Sequence, residues 1–260
     1  MNNEILSKSN PRVKFIKRLL TSSKQRQESG LFAVEGVRLC YDIVRSGIKA
    51  RELYYTDSAY KKSSVLVDEL KSSADESFVV GDEAFCKMTD TVTPQGVLCV
   101  LDMPKTKLKI EEGGKYIVLC DVQDPSNLGA VARTAEAFAV SGIIVCGGCD
   151  IYNSKALRAS MGAFFRIPTA VMNVDDMLNA FKDKYITTYA STPDSNAVSI
   201  AECDFSSGCA MLVGNEANGL KKEIISACDK AVTIPMSGRA ESLNASVAAS
   251  ILMYEMVKQR

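Results

Sequence analysis

The 260-residue chain contains no histidine and no tryptophan. Without histidine there is no Ser-His-Asp or Cys-His dyad, no imidazole metal ligand and no ordinary proton shuttle at neutral pH. Long apolar runs are missing as well. None approaches the ~18 residues that cross a bilayer, and the opening MNNEILSKSN lacks the apolar core of a secretory signal. The expectation is a cytoplasmic protein with no membrane segment. Net charge is lacking too, since 31 basic groups face 31 acidic ones, so no global field selects a polyanion.

What is present is a globular composition. With 47% hydrophobic and 24% charged residues, the chain can bury a sizeable core as one large domain or two modest ones. Nine cysteines are an odd number, and Cys99, Cys120 and Cys209 fall inside apolar, strand-like runs. They read as reduced, buried small hydrophobes of a reducing compartment. Cys146 and Cys149 form a CxxC unit, but no histidine or second CxxC completes a zinc site, so the pair reads as structural and no metal is expected.

Charge is unevenly placed. The first 26 residues hold Lys8, Arg12, Lys14, Lys17, Arg18, Lys24 and Arg26 against one acid, Glu4. A basic arm on a neutral protein points to a polyanion, although a solvated helix face explains it equally well. Pro11 suits the first turn of a helix carrying Val13, Ile16, Leu19 and Leu20. Strand patterns at 30–36, 52–56, 78–80 and 96–101 alternate with helical ones through Val37, Tyr41 and Val44 and around 64–72 and 82–88, which makes a small α/β domain over 1–103. The polar stretch 104–114, with Pro104 and Gly113-Gly114, is the expected linker.

Residues 115–260 are more regular. Apolar runs at 115–122, 141–148, 185–190, 209–214 and 230–235 alternate with helical patterns at 128–139, 155–163, 174–183, 220–228 and 241–258. Near-continuous apolar strands between helices imply a parallel sheet covered on both faces. Ligands of such sheets sit beyond the carboxyl ends of the strands, so the loops there should carry the chemistry.

Three of those loops are distinctive. After the first strand, Asp124-Pro125-Ser126-Asn127 is turn and cap chemistry, followed by a helix rich in small residues. Arg133 lies nearly two turns beyond Asn127 and is expected on a similar side. In LVGNEANGLKKE (212–223), Gly214 and Gly219 evoke a phosphate loop, but Leu220 stands where its lysine belongs, and no GxGxxG occurs elsewhere. A dehydrogenase or NTPase on a doubly wound sheet is thereby disfavoured. In the last loop and helix (234–255), Leu243, Val247, Ile251 and Tyr254 recur at helical spacing and predict the core face of an amphipathic tail. Polar, glycine-containing turns at three strand ends of one sheet have the geometry of a ligand crevice.

Taken together, NLGAVART, LVGNEANGL and IPMSGRAESLNASVAASILMYE resemble, in order and spacing, the three signature motifs of the SpoU (TrmH-type) RNA ribose methyltransferases. ALRASMGAFFRIP (156–168) is similar to that family's connecting segment. The amino-terminal half resembles, more loosely, a ribosomal-protein-like α/β/α substrate-binding domain, through NPRVKFIKRLL, GLFAVEGVRL and TPQGVLCVL. The resemblance implies an α/β fold of the SPOUT class, with a trefoil-knotted, parallel-sheet catalytic domain and a smaller RNA-binding domain. It implies S-adenosylmethionine as cofactor, a homodimer, and methyl transfer to a ribose 2′-hydroxyl of RNA, ribosomal RNA before transfer RNA. A non-catalytic RNA-binding protein on the same fold is the other reading. By position, Asn127, Arg133, Glu216, Ser242 and Asn244 match the family's active-site residues, and Gly214, Ile234, Met236 and Leu243 its cofactor contacts. Within that picture Glu216 or Asn127 would orient Arg133, and Lys8, Arg12, Lys14, Lys17 and Arg18 would hold RNA.

Overall fold

In the computed structural model, which describes residues 4–104, 108–194 and 196–258, a short strand β1 (Glu4–Ile5) leads into α1 (Pro11–Thr21). The start of α1 is set by Asn10, whose side chain accepts from the Arg12 amide, and by Pro11 in the first turn. Helix α2 (Ser23–Ser29) follows at once, capped by Ser22 and closed by Gly30 in the left-handed region at φ 67°. It was not expected, because SKQRQES has no apolar periodicity. Its buried Arg26 donates to the Leu19 carbonyl at 2.6 Å, a contact made only after folding. Then come β2 (Leu31–Glu35), α3 (Val37–Arg45), β3 (Ala50–Tyr55), α4 (Asp57–Ser73, broken at Ser63), β4 (Ala74–Val80), α5 (Asp82–Met88) and β5 (Val97–Asp102).

These five strands pair in the order β1-β4-β3-β5-β2, and only β5 runs against its neighbours. Helices α1 and α5 cover one face through Val13, Ile16, Leu19, Phe85 and Met88. Helices α3 and α4 cover the other through Cys40, Ile43, Val67 and Leu70. The result is the expected α/β/α sandwich.

The remaining elements are β6 (Lys115–Cys120), α6 (Pro125–Ala137), β7 (Gly142–Cys146), α7 (Ser154–Ser160), β8 (Thr169–Val171), α8 (Val174–Lys182), β9 (Thr187–Ser191), β10 (Val198–Ser199), β11 (Cys209–Val213), α9 (Lys222–Ala227), β12 (Lys230–Thr233) and α10 (Ala245–Lys258). The strands pair as β10-β12-β9-β11-β6-β7-β8, every neighbouring pair parallel. The five expected strands form the middle. The outer two, β8 and β10, are three and two residues long and carry no periodic signal. Helices α8 and α9 cover one face, where Met177, Phe181, Leu220 and Ile224 meet Tyr116, Val118 and Leu212. Helices α6 and α10 pack together and against the central strands on the other side.

Two expectations change. The chain divides into Met1–Lys105 with Tyr152–Phe165, and Thr106–Ile151 with Arg166–Arg260. Residues 152–165, which the sequence reading kept within 115–260, therefore belong to the first unit. There Leu157 joins the α3/α4 core, the rings of Tyr152 and Phe165 lie 5.0 and 5.5 Å from Phe32, and Asp90 accepts from Ser154 Oγ and Arg158 Nη1. An excursion of this kind carries no compositional shift to mark it. Of the expected linker 104–114, residues 105–107 lie outside the described residues. The second change concerns the tail. The buried side of α10 is Ala245, Ala249, Leu252, Met253 and Met256, while Val247 and Tyr254 are exposed. Both sides of this helix are apolar, so periodicity alone picked the wrong stripe.

Candidate active site at the strand ends

Because the seven-stranded sheet is wholly parallel, the loops after β6, β7, β11 and β12 leave from one edge. The registers align those ends: Cys120 lies beside Cys146, Leu119 beside Val213, and Ala190 beside both Leu212 and Ala231. Backbone constraints then fold the loops over one another. Asp121 takes a left-handed φ of 55°, its amide bonds the Cys146 carbonyl, and the Cys149 amide bonds the Val122 carbonyl at 2.8 Å. Gly148 sits so close that a Cβ there would lie 2.3 Å from the Val122 oxygen. The CxxC unit is thus part of a loop-to-loop clasp.

The three motif loops are joined by one hydrogen-bond relay. Glu216 Oε1 accepts from the Asp124 amide at 3.0 Å and from Asn127 Nδ2 at 2.9 Å, and Oε2 accepts from the Gln123 amide at 3.0 Å. Asn127 Oδ1 in turn accepts from Asn244 Nδ2 at 3.0 Å. Asn244 Oδ1 caps α10 by accepting from the amides of Ser246 and Val247. Burial raises the Glu216 carboxyl, but the bonds from Asn127 and the two amides outweigh it, so it lies below the ordinary carboxylate range. A charged acceptor with three donors is a strong tie between loops 90 residues apart in sequence.

Glycine geometry sets the middle loop. The Asn215 amide bonds the Gly219 carbonyl at 3.1 Å and the Gly219 amide returns to Asn215 at 2.9 Å, with Gly219 at φ +65°. A Cβ on Gly214 would stand 2.2 Å from the Gly219 carbonyl carbon. The glycine assigned to cofactor contact is thus required first by the turn itself. The last loop differs in kind: among the described residues, 235–243 forms no hydrogen bond, backbone or side chain. Its amides and carbonyls are open to water or a ligand. Half-buried Ile234, Met236 and Leu243 lie in or beside it. Apolar side chains among backbone donors and acceptors that have no partner among the described residues fit an adenosyl group with an aliphatic arm.

The structure gathers Asn127, Glu216 and Asn244, and it separates Arg133. Asn127 is buried, whereas Arg133 is exposed and has no hydrogen bond or ion pair among the described residues. At ~100° per residue, six positions leave Arg133 about 120° round α6 from Asn127, so the expected common side is corrected. Glu216 does not orient it either, since its oxygens are taken by Gln123, Asp124 and Asn127. Ser242 is exposed and forms no hydrogen bond among the described residues. Two residues of this site went unread in the sequence. Asn215 donates to the Asp121 carbonyl at 3.0 Å and accepts from the Ala217 and Asn218 amides; Lys221 pairs with Asp121 at 3.0 Å. The Asn in GNEANG was a legible turn signal; the Lys221 pairing had none.

The basic arm is also redistributed. Arg12 is committed inside the first unit, to Glu52, to Glu76 at 3.5 Å, to Tyr54 Oη at 3.2 Å and over the Phe78 ring at 4.3 Å. Its charge is engaged by these partners within the unit. Lys8 pairs with Glu83 at 2.8 Å and Lys17 donates to the Thr89 carbonyl. Lys14 and Arg18 have no such partner among the described residues.

Comparison with known proteins identifies relatives of the chain. The model of the SpoU rRNA Methylase family matches residues 114–254, and that of the MRM3-like substrate binding domain matches residues 10–99. The chain is 31% identical to the 23S rRNA (guanosine(2553)-2'-O)-methyltransferase RlmP of Bacillus subtilis, over 97% of this chain and 98% of that protein. It is 29% identical to a 23S rRNA (uridine(2479)-2'-O)-methyltransferase of Streptomyces viridochromogenes, over 93% and 88% respectively. Among solved structures, the AdoMet-bound rRNA methyltransferase from Sinorhizobium meliloti superposes with a TM-score of 0.87 at 31% identity, covering 98% of this chain and 97% of that one. With its three strand-end motifs in place and matched over more than half its length, the chain belongs to the SpoU rRNA Methylase family.

Proposed function

We propose that this chain is an S-adenosylmethionine-dependent ribose 2′-O-methyltransferase of ribosomal RNA, working in the cytoplasm. In this reading 115–260, apart from 152–165, supplies the catalytic domain and the first unit binds RNA. The observation that carries it is the Glu216–Asn127–Asn244 relay, which ties the family's three motif loops together. S-adenosylmethionine, when bound, supplies the activated methyl carbon. The backbone of 235–243, with Gly214, Ile234, Met236 and Leu243, would hold it.

Protein groups then have two tasks, alignment and removal of the hydroxyl proton. Alignment in favourable cases is worth ~7–11 kcal/mol. Asn127, Glu216 and Asn244 are positioning residues that fix the loop geometry. Arg133, exposed and without a partner among the described residues, would clamp an RNA phosphate and stabilise the developing alkoxide. A guanidinium holds its proton throughout the neutral range, so the hydroxyl proton leaves to phosphate or water, not to Arg133. Ser242 in the last loop would contact the ribose.

Calorimetric titration tests the cofactor: S-adenosylmethionine binds and ATP and NAD do not. Mapping of 2′-O-methyl groups in a deletion strain tests the substrate. Loss of one mark from ribosomal RNA is expected; a mark lost from transfer RNA instead overturns the substrate class. We further propose a homodimer built on α10, because its second apolar stripe leaves Val247 and Tyr254 exposed. Light scattering should give twice the chain mass, and Val247→Asp with Tyr254→Asp should halve it. The knotted path of the tail belongs to the same proposal.

A further inference from the structure

We propose that Cys120 and Cys146 form a thiol switch at the root of the loops after β6 and β7, which a peroxide closes as a disulfide and a dithiol reopens. The thiol chemistry stands whatever the chain methylates; its effect on methyl transfer rests on the function proposed above. The CxxC spacing alone would pair Cys146 with Cys149. The fold pairs it otherwise. Cys120 ends β6, Cys146 ends β7, and the two are register partners in a parallel pair. Neighbouring strands lie ~4.8 Å apart, inside the ~4.4–6.8 Å range between the Cα atoms of a disulfide. Register partners point to the same face of a sheet, and both thiols enter the core beneath α8 and α9. Cys149 lies beyond the strand, where its Sγ donates to the Asp150 carbonyl at 3.5 Å.

The pair is chemically unequal. The Cys120 S–H donates to the Cys146 sulfur, and that bond holds the Cys146 thiol below its ordinary value although burial and the Asp121 charge raise it. The same bond raises Cys120, and burial raises it further. A readily ionised sulfur beside a second thiol is what reversible thiol oxidation requires. Cys40 and Cys99 also touch, but both are 0% exposed inside the first unit, and Cys40 donates to the Val34 carbonyl at 3.3 Å. Cys146 keeps 4% exposure, and the chain after it is Gly147-Gly148, two exposed residues with no side chain to screen the strand end.

Oxidation balances in two steps. The Cys146 thiolate attacks one oxygen of hydrogen peroxide; S–O forms, O–O breaks, and the hydroxide released takes the proton that Cys146 gave up. The Cys120 sulfur then attacks the Cys146 sulfur of the sulfenic acid. S–S forms, S–O breaks, and the hydroxide departs with the Cys120 proton as water. Two thiols lose two electrons, and one peroxide becomes two waters. Exchange with a dithiol runs the pair back to thiols.

The motif loops feel the bridge directly. Asp121, the next residue after Cys120, holds a left-handed φ of 55° with its amide on the Cys146 carbonyl, and the Cys149 amide bonds the Val122 carbonyl. Two sulfurs in hydrogen-bond contact must close to ~2.05 Å, and the strand ends move with them. The loop that moves brings Asp124 and Asn127 to Glu216. A misplacement of ~1 Å in such a framework costs on the order of 10²-fold in rate.

The test treats the full wild-type chain with hydrogen peroxide, removes the peroxide with catalase, alkylates the remaining thiols and maps the peptides by non-reducing mass spectrometry. Methyl transfer to deproteinised 23S ribosomal RNA is measured before treatment, after it, and after dithiothreitol. A Cys120–Cys146 bridge is expected, with transfer lowered at least about 10-fold and restored by dithiothreitol. Amide exchange at Asp121 and Cys149 should speed up in the bridged form. Cys120→Ala should keep its transfer activity in peroxide, whereas Cys86→Ser, at an exposed thiol, should respond as wild type does. The map and the recovery are read on wild type, so they decide even where Cys120→Ala does not fold. Cys120 and Cys146 still alkylated after Cys86 is oxidised, a bridge from Cys146 to Cys149, or a Cys120–Cys146 bridge with transfer unchanged would each overturn the switch. Reduced wild type without transfer activity overturns the proposed function instead, and the bridge is then decided by the map and by exchange at Asp121 and Cys149.

Discussion

In the seven-stranded unit, polar side chains of three strand-end loops are bonded to one another; in the five-stranded unit, charge without partners among the described residues sits on a helical face over a plain apolar core. Asn127 is bonded to both Glu216 and Asn244, whereas the side chains of Lys14, Arg18 and Lys87 form no hydrogen bond or ion pair among the described residues. Transfer chemistry needs fixed geometry, and a tied carboxylate supplies it. Holding a polyanion needs unspent charge, and a tied lysine would not supply that. Arg12 and Arg133 invert the pattern of their units: the arginine on the basic arm is paired within its unit, and the arginine on α6 has no hydrogen bond or ion pair among the described residues.

The largest effect that should sharpen this contrast is on turnover. Arg133→Ala should lower methyl transfer by about 10²–10³-fold, with S-adenosylmethionine affinity unchanged by calorimetry. Near-normal turnover would remove Arg133 from the mechanism. Gly214→Ala should come next, at about 1–3 kcal/mol in denaturant unfolding, because its Cβ has nowhere to go. Gly238→Ala in the last loop meets nothing within 4 Å and has no positive φ, so it should stay within about 0.5 kcal/mol of wild type. If both glycines behave alike, the distinction between a packed turn and an open loop fails.

Asn127→Ala breaks the relay at its centre and strips donors or acceptors from two partners. It should lower turnover while leaving some cofactor binding, at about 1–3 kcal/mol of stability. Loss of cofactor binding with turnover intact at saturation would contradict the positioning role. The smallest effect compares carboxylates in the two units by pH. For Asp90, burial raises the carboxyl, but bonds from Arg158 and Ser154 outweigh it, and the net shift is downward, as for Glu216. A lowered native value means each tie is fully present above the unfolded value, about 3.9 for Asp and 4.3 for Glu. Each is lost as pH falls through the native value. Asp90→Asn and Glu216→Gln should therefore flatten the acid limb of the stability curve. Asp90→Asn should additionally release Tyr152–Phe165 to proteolysis.

Much of this was legible beforehand, for particular reasons. The central strands β6, β7, β9, β11 and β12 were long, apolar and regularly spaced, and the loops after β6, β11 and β12 held the polar turn residues. Edge strands β8 and β10 were too short to show a period. Helix α2 was hidden because its buried residue is an arginine. The tail helix was read on the wrong stripe because Val247 and Tyr254 repeat as regularly as Leu252 and Met256 do. Arg133 was misplaced by counting turns without the angle.

The sequence by itself determined the strand–helix alternation, the parallel sheet and the three motif loops, because side-chain period and turn chemistry are local. It also ruled out histidine chemistry from the start. Only the tertiary structure decided that Asn127 lies between Glu216 and Asn244, that Arg12 is paired within its unit, and that residues 152–165 leave one unit for the other. Those outcomes depend on pairs far apart along the chain, and no local pattern records which partner a buried polar group or a surface cation will meet.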